Sequence, residues 1–295
     1  MPDLAIVNGS LLPLEEARVP ALDRGFLFGD SVYEVIRTRE GVPFLMERHF
    51  ERLQASAGRI GISLPFDLQG MAGEIRRGLD GAGYGDAYIR IIVSRGYGPP
   101  NIDFRMVEEG PSWVLMFREL HVPGPEAYRE GIAAAVPQVK RNDREALDPA
   151  IKSGNYLNNI LALKEAVERG AQEAILLNRE GHVTEATTAN IFIVERGRYL
   201  TPPLGEGILS GITRALILER APGDGLEAAE ETIPLDRLLS ADEVFLTSTT
   251  RDVLPITSVD GKPVGTGRPG PATQKLMERF QAWAEEIHQR EKQAW

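Results

Sequence analysis

The sequence predicts two domains of mixed structure, a small α+β domain over residues 1–118 and a larger mixed α/β domain over residues 131–295. Runs rich in β-forming residues and runs with helical periodicity alternate along the whole chain. The segment "ELHVPGPEAYREG" combines proline, glycine and charge, so we expect an interdomain linker over residues 119–130. A chain of 295 residues that is 42% hydrophobic is long enough to form two separate cores.

The first domain begins with predicted hairpins. Asn8-Gly9 and Glu40-Gly41 are turn pairs between β-rich runs, and such pairs favour tight hairpin turns. The segment "MERHFERLQASAGRIGI" has apolar residues at helical spacing and ends at Gly61, which predicts a helix. A second helix is predicted in "FDLQGMAGEIRRGLDGAG", and strands in "DAYIRIIVSRG" and "SWVLMFREL".

The second domain interleaves strands and helices. We expect strands in "IAAAVPQV", "EAILLN", "NIFIV", "RYLTPP" and "EVFLTST". We expect helices in "NYLNNILALKEAVERG", "GITRALILERA" and "TQKLMERFQAWAEEIHQR". This interleaving is typical of a mixed α/β domain.

Composition excludes several classes of function. The net charge of −10 argues against nucleic acid and anionic membranes as partners. The chain has no apolar stretch that could span a bilayer and does not begin with a signal sequence, so we expect a cytoplasmic protein. Cysteine is absent, and the four histidines are far apart in the sequence, so we expect no metal site.

Common nucleotide and hydrolase motifs give no support. "GTGRPG" over residues 265–270 matches a dinucleotide-binding pattern, but the helix after it ends the sequence and no second strand follows. We therefore expect a loop there. No phosphate-loop motif and no GxSxG nucleophile motif occur.

Three residue types in the second domain indicate a pyridoxal phosphate enzyme. Lys152 stands immediately before an amphipathic helix, Tyr156 lies near the start of that helix, and Glu185 is an isolated carboxylate before an apolar run. A lysine that forms a Schiff base, a phenol and a carboxylate for the pyridine nitrogen are what this cofactor needs. Lys140 and Lys164 are nearby alternatives, although Lys140 belongs to a charged run, "VKRNDRE", that is typical of a solvated surface.

Candidate phosphate ligands occur at three places. Ile212 and Thr213 follow Gly211 at the start of a predicted helix, and Thr249 lies in a hydroxyl-rich turn at a strand end. Arg52 lies in a predicted helix between apolar residues. Ordinary turn chemistry for the threonines and a surface position for Arg52 remain alternative interpretations.

Together these motifs resemble the class IV, or fold type IV, aminotransferases. The resemblance covers nearly the whole chain, from "DRGFLFGDSVYEVIRTREG" through "ERHFERLQASAGRI" and "AYIRIIVSRG" to "IKSGNYLNNILALKEA". It continues through "VTEATTANIFIV", "GILSGITR" and "EVFLTSTTRDVLPI". The family includes branched-chain aminotransferases, D-amino acid aminotransferases and aminodeoxychorismate lyases, and its fold has a small N-terminal and a larger cofactor-binding domain.

The resemblance assigns roles to individual residues. It implies that Lys152 carries pyridoxal 5′-phosphate and moves the substrate proton, and that Glu185 pairs with the pyridine nitrogen. The other cofactor contacts that it implies are Arg52, Ile212, Thr213 and Thr249 at the phosphate, Tyr156 at O3′ and Leu209 against the ring. The substrate contacts that it implies are Tyr33, Tyr88, Arg90, Thr250 and Arg251.

The resemblance also implies the reaction and the assembly. We expect a ping-pong transfer of an amino group between an amino acid and a 2-oxo acid, in a homodimer whose site lies between the domains and near the subunit interface. The chain should bind these small molecules and neither nucleic acid nor membrane.

The substrate class is less sharply indicated. "NYLNNILA" and "AYIR" resemble the branched-chain group, and the loop "RGYGPPNIDF" lacks the Arg-x-His of D-amino acid enzymes. "FGDSVYEVIR", however, is closer to the D-amino acid group, and Arg251 stands where branched-chain enzymes usually have a small residue. Any of four arginines is a candidate ligand of a substrate carboxylate: Arg24, Arg37, Arg90 and Arg251.

We therefore expect transamination of branched-chain L-amino acids with 2-oxoglutarate. The alternatives are a D-amino acid or broad-specificity transaminase with a different carboxylate site, and an aminodeoxychorismate lyase. An inactive binding protein with this fold would be expected to lack Lys152 or Glu185, and both are present.

Overall fold

The computed structural model describes all 295 residues, which form two compact units. The first unit contains Met1–His121, Ile151–Asn155 and Ile287–Trp295, and the second contains Val122–Ala150 and Tyr156–Glu286. Two short segments of the predicted second domain therefore belong to the first unit. The segment with Lys152 does so because Ser153 forms a β-bridge with Val32.

A six-stranded antiparallel sheet forms the frame of the first unit. Its strands are β1 (Leu4–Val7), β2 (Ser10–Pro13), β3 (Ser31–Arg39), β4 (Val42–Pro43), β5 (Ala87–Ser94) and β6 (Ser112–Glu119), in the order β2-β1-β6-β5-β3-β4. Both predicted hairpins are present. Their turn residues have left-handed φ angles, 47° at Asn8 and 49° at Glu40, each followed by a glycine with positive φ.

Helices α1 (Arg24–Phe28), α2 (Met46–Arg59) and α3 (Leu68–Ala82) complete the first unit. The helix predicted before Gly61 is α2, and Gly61 follows it with a φ of 67°. Gly78 of α3 serves packing, since a Cβ at this position would lie 2.2 Å from the ring of Phe117. The buried core contains residues from the sheet, α2 and α3, including Leu53, Ile75 and Phe117.

A nine-stranded mixed sheet forms the frame of the second unit. Its strands are β7 (Ile132–Ala135), β8 (Glu173–Leu177), β9 (Val183–Ala186), β10 (Asn190–Glu195), β11 (Arg198–Thr201), β12 (Ala228–Glu230), β13 (Glu243–Ser248), β14 (Asp252–Val259) and β15 (Lys262–Pro263). Strand β7 pairs in parallel with β8 and β14, and β10 pairs antiparallel with β13. Four of these strands were not predicted from the sequence: β9, β12, β14 and β15.

The helices of the second unit include one inside the predicted linker. They are α4 (Pro125–Glu130), α5 (Leu157–Glu168), α6 (Ile212–Arg220), α7 (Leu235–Ser240) and α8 (Pro271–Ala294), whose last residues belong to the first unit. Helix α4 begins at Pro125, because proline is well suited to a first helical turn. None of the helices combines the length and apolarity that crossing a bilayer requires.

Candidate active site

The backbone of Lys152 is hydrogen-bonded to two elements of the first unit. Its carbonyl accepts the N–H of Tyr33 at 2.9 Å, and its N–H donates to the hydroxyl of Ser56, on α2, at 3.2 Å. Its Nζ lies 4.5 Å from the centre of the Tyr33 ring and 3.5 Å from the hydroxyl oxygen. The half-buried amine therefore rests on an aromatic face at a fixed place.

One face of the first sheet carries three of the five predicted substrate residues. Tyr33 on β3 stands opposite Ile92 on β5, so it shares a face with Arg90. Arg37 stands opposite Tyr88 and extends this face. The guanidinium carbon of Arg90 lies 4.1 Å from the centre of the Tyr33 ring, and no carboxylate of the chain pairs with Arg90. The structure thus brings Tyr33, Tyr88 and Arg90 together.

Tyr33 and Arg90 line a cavity of about 480 Å³ in the first unit. Gly154, two residues after Lys152, lines it too, and apolar side chains such as Ile92 and Met116 form much of the wall. One unpaired cation beside apolar walls suits a ligand that has both a carboxylate and an apolar side chain.

Arg52 is paired inside the first unit and does not occupy an ordinary surface position. Its Nε and Nη2 donate to the two carboxylate oxygens of Glu34 at 2.7 and 2.9 Å. The side chain of Arg52 is 13% exposed and that of Glu34 is 0% exposed. Because side chains alternate along β3, Glu34 faces α2 whereas Tyr33 faces the cavity. A two-point ion pair fixes the plane of the Arg52 guanidinium.

His49 completes this buried group. Its Nδ1 lies 2.7 Å from Glu34 Oε2. Burial raises the pKa of Glu34, but Arg52 and His49 lower it further than burial raises it, so this carboxyl is ionised. Burial holds the pKa of His49 below its ordinary value of 6.5, against the attraction of Glu34. A neutral His49 that donates Nδ1–H to Glu34 fits both directions.

Glu185 lies buried on β9 in the second unit and is held by several donors. Nε and Nη2 of Arg141 donate to its Oε1 at 3.1 and 2.7 Å. The N–H of Leu209 donates to its Oε2 at 3.0 Å, and the amide of Asn190 lies 3.4 Å from the same oxygen. This environment keeps the carboxylate in one orientation.

Arg141 is a functional candidate that the sequence analysis missed, because it lies in the charged run that was interpreted as solvated. Lys140 in that run is exposed, but the side chain of Arg141 is only 9% exposed. Its Nη1 also donates to the amide oxygens of Asn158 and Asn159 at 3.3 and 3.2 Å. Two consecutive asparagines at the start of an amphipathic helix were the available sign of a polar contact there.

Asn190 connects Glu185 with the chain that leads into α6. Besides its long contact with Glu185, its amide donates to the carbonyl of Leu209 at 3.0 Å. A Cβ at Gly211 would lie 1.8 Å from the amide oxygen of Asn190, so only glycine allows this close approach. Glu185, Leu209 and the start of α6 are therefore neighbours.

The predicted phosphate ligands of the second unit lie at element ends. Ile212 and Thr213 are the first two residues of α6, after the N-cap residue Gly211, and no side chain caps this helix. The N–H groups of a first helical turn have no partner within the helix and bind anions well. Thr249 follows β13, against which α6 packs.

Tyr156 is the N-cap residue of α5, one position before the helical turn in which it was predicted. Its side chain is half-buried. Tyr156 belongs to the second unit, whereas Lys152 belongs to the first.

The guanidinium of Arg24 is hydrogen-bonded to Asp30 and to the loop after β5. Its Nε donates to Asp30 at 3.0 Å, and its two terminal nitrogens donate to the carbonyls of Asn101 and Ile102 at 2.6 and 3.1 Å. The hypothesis that Arg24 binds a substrate carboxylate is therefore not supported. Arg37 is buried on β3.

Arg251 is likewise engaged within the second unit. Its Nη1 donates to Glu173 at 2.9 Å, its Nη2 to the hydroxyl of Thr188 at 2.8 Å and its Nε to Ser248 at 3.2 Å. Thr250 precedes it in the turn between β13 and β14, where it is half-buried.

Comparisons with known proteins identify the family. The protein-family model described as "Amino-transferase class IV" matches residues 31–259 of the sequence. A putative branched-chain-amino-acid aminotransferase of Methanocaldococcus jannaschii is 37% identical over 275 residues, which are 93% of this chain and 94% of the relative. A D-alanine aminotransferase of Bacillus licheniformis is 36% identical over 276 residues, 94% of this chain and 95% of the relative.

Solved structures agree. The Escherichia coli branched-chain amino acid aminotransferase matches with a TM-score of 0.90 at 30% identity, over 96% of this chain and 94% of that one. The Thermobaculum terrenum branched-chain enzyme in its pyridoxal phosphate form matches with a TM-score of 0.85 at 28% identity, over 99% and 97%. The chain belongs to the class IV aminotransferases. It is a pyridoxal phosphate-dependent transaminase of fold type IV, as the resemblance predicted.

The residues present fit this cofactor. The first unit supplies an amine at Lys152 and an oriented cation at Arg52. The second supplies the buried carboxylate of Glu185 beside the uncapped start of α6. An amine, a cation, a carboxylate and a helix start are the groups that an aldehyde, a phosphate and a pyridine nitrogen require.

Proposed function

We propose that Lys152 is the catalytic residue. Its Nζ binds the cofactor and then carries a proton to and from the substrate Cα. Bound pyridoxal phosphate supplies an electron sink for the electron pair that stays when that proton leaves. The support is the fixed backbone of Lys152 and the aromatic face under its amine.

The same proposal assigns the cofactor contacts. Glu185 keeps the pyridine nitrogen protonated, since a carboxylate held by Arg141 stabilises a positive partner. Arg52 binds the phosphate in the orientation that Glu34 imposes. The remaining proposed contacts are Tyr156, Leu209, Ile212, Thr213 and Thr249.

We propose branched-chain L-amino acids and 2-oxoglutarate as the substrates. The observation that carries this proposal is Arg90, a half-buried cation without a carboxylate partner in a cavity with apolar walls. An apolar wall suits the branched side chain, and Arg90 suits the second carboxylate of the oxo acid. Two further structures of a branched-chain enzyme, each 30% identical to this chain, contain related molecules. One contains N-(5′-phosphopyridoxyl)-L-glutamate, which has a second carboxylate, and the other contains 4-methylvaleric acid, which has a branched apolar chain. Tyr33, Tyr88 and Thr250 are the other proposed substrate contacts.

A D-amino acid is the second candidate substrate, because the D-alanine aminotransferase of Bacillus licheniformis is nearly as similar as the branched-chain relative. An aminodeoxychorismate lyase has no supporting observation among these relatives.

A homodimer in the cytoplasm completes the proposal. Phe26, Ile102 and Phe104 of the first unit are 75%, 82% and 63% exposed, and a second copy that covers such apolar side chains would remove them from water. A chain without cysteine is compatible with a reducing compartment. Size-exclusion chromatography with light scattering measures the assembly directly.

The absorption spectrum of the protein reconstituted with pyridoxal phosphate tests the substrate. We expect L-leucine to convert the cofactor to its amine form with release of the oxo acid, and 2-oxoglutarate to reverse the change. D-Alanine should leave the spectrum unchanged. Conversion by D-alanine and not by L-leucine would contradict the proposed substrate and favour the second candidate.

Arg90→Met tests the carboxylate site. The variant should raise KM for 2-oxoglutarate by about a hundredfold, because a charge-assisted contact is lost, and raise KM for L-leucine less. Arg105→Met, which removes an arginine that is 77% exposed in the same unit, should change neither value. Equal KM values in Arg90→Met and the wild type would show that Arg90 is not the ligand.

A further inference from the structure

Arg251 connects two turns of the second unit. It belongs to the turn between β13 and β14, whose ends pair at Ser248 and Asp252. Its side chain reaches Thr188, in the turn that follows β9, and Glu173, the first residue of β8. The hydroxyl of Tyr128 donates to the carbonyl of Arg251 at 3.2 Å. Backbone and side chain are therefore both held.

Glu173 fixes the other end of this connection. It is 2% exposed, and its Oε1 accepts the N–H of Ala174 at 3.0 Å, the N–H of Thr187 at 3.2 Å and the Thr187 hydroxyl. Its Oε2 accepts from Arg251. A buried carboxylate needs a compensating charge, and Arg251 provides it.

The two turns joined in this way carry groups of the proposed site. Thr187 and Thr188 follow Glu185 within three residues, and Thr250 immediately precedes Arg251. Arg251 donates hydrogen bonds to Glu173, Thr188 and Ser248. These bonds fix the position of Thr250 relative to the strand that carries Glu185. A displacement of about 1 Å at such a position costs a large factor in rate or binding.

We propose that Arg251 is a positioning residue: through Glu173 and Thr188 it holds the turn that carries Thr250, a proposed substrate contact, and it does not bind a substrate carboxylate itself. The proposal rests on the transaminase function proposed above.

Glu173→Gln tests this proposal, because the substitution removes the charged partner of Arg251 and leaves the arginine itself in place. With the amino donor that the wild type accepts, Glu173→Gln should raise KM about tenfold and change kcat less than about threefold. The dissociation constant of 4-methylvalerate, measured by calorimetry on the holoenzyme, should rise by a similar factor.

The pair Glu173→Gln and Arg251→Gln separates positioning from direct binding. If Arg251 acts through Glu173, the double variant should have about the same KM as either single variant, since both break one connection. If Arg251 bound the carboxylate itself, Glu173→Gln would release the arginine and leave KM unchanged or lower it, and that result overturns the proposal. The double variant has no unpaired buried charge, so it keeps the test valid if Arg251→Gln alone does not fold.

Arg129→Gln is the matched control, because Arg129 lies on α4 of the same unit with its side chain 69% exposed. Its KM should equal that of the wild type. A wild type that reacts with an amino acid, together with an unaltered Glu173→Gln, overturns only the role of Arg251. A wild type that binds pyridoxal phosphate but transfers no amino group overturns the proposed substrates instead.

Discussion

Glu34 and Arg52 form a two-point ion pair, with Nε–Oε1 and Nη2–Oε2 distances of 2.7 and 2.9 Å. The pair lies on the α2 side of β3. Tyr33 lies on the other side of the strand, where its ring faces the amine of Lys152 and the guanidinium of Arg90. A single strand therefore carries the group that orients the proposed phosphate ligand and the ring that faces the proposed substrate cavity.

Glu34→Gln should weaken cofactor binding. The substitution removes the charge that orients Arg52 and should destabilise the protein by about 3 kcal/mol, because Arg52 keeps an uncompensated charge. The dissociation constant of pyridoxal phosphate should rise about tenfold, as measured by titration of the apoprotein.

Glu74→Gln is the control for this change, since it breaks the ion pair of Glu74 with Arg77 on the surface of α3. We expect a loss of less than about 1 kcal/mol and unchanged cofactor affinity. Cofactor affinity in Glu34→Gln equal to that of the wild type would show that Arg52 needs no such partner or does not bind the phosphate.

Arg141→Gln should destabilise the apoprotein more than the holoprotein. The variant leaves Glu185 buried without its main cation, at a cost of about 3 kcal/mol. A protonated pyridine nitrogen next to Glu185 would supply a replacement charge. Thermal unfolding of both forms measures the difference.

Arg144→Gln serves as the control, because its guanidinium lies 3.9 Å from Asp148 and is half exposed. It should affect both forms equally and weakly. An equal loss of stability in apo and holo Arg141→Gln would contradict the pairing of Glu185 with the cofactor.

Much of this arrangement was predictable because it depends on local sequence. The Asn8-Gly9 turn, the end of α2 at Gly61 and the candidates Lys152 and Glu185 each follow from neighbouring residues. Glu34 and Arg141 were not predictable in their roles, because their partners lie 18 and 44 positions away. The membership of Ile151–Asn155 in the first unit depends on a still more distant contact, the bridge between Ser153 and Val32.

Gly29→Ala should disturb the segment that carries Lys152. Gly29 has a φ of 67°, and a Cβ there would lie 2.6 Å from the side-chain oxygen of Asn155, whose amide donates to the Gly29 carbonyl. We expect a loss of about 3 kcal/mol from backbone strain and the clash together. Reactivity of Lys152 should fall as well, measured as the rate of cofactor uptake.

Gly41→Ala separates strain from the clash. Gly41 has a φ of 81° and no atom within 4 Å of the added Cβ, so its loss should be only about 1 kcal/mol with normal cofactor uptake. Identical behaviour of the two variants would contradict a special role for the contact with Asn155.

Glu291 should make stability depend on pH. It accepts the N–H of Leu45 at 3.0 Å, and burial raises the pKa of Glu291 to about 7, although Leu45, Arg290 and Arg48 lower it. Because this value exceeds the ordinary 4.5, the folded protein binds the proton more tightly than the unfolded chain does. Its contribution to stability is therefore complete below pH 4.5 and is lost as the pH rises through 7.

Urea unfolding at several pH values tests this behaviour. In the wild type, the contribution of Glu291 to the free energy of unfolding should fall by at most about 3 kcal/mol as the pH rises from below 4.5 to above 7. Glu291→Gln should remove the dependence and be the more stable protein at alkaline pH, whereas Glu278→Gln, at an exposed position of α8, should follow the wild type. A dependence that persists in Glu291→Gln would assign it to another group.

The attachment site of the cofactor tests the central claim most directly. Borohydride reduction of the holoprotein fixes pyridoxal phosphate to the lysine that holds it, and mass spectrometry of the proteolytic peptides locates the modification. We expect the phosphopyridoxyl group on Lys152, and no attachment in Lys152→Ala. Modification of Lys140 or Lys164, or equal modification of Lys152→Ala, would contradict the role of Lys152 as the catalytic lysine.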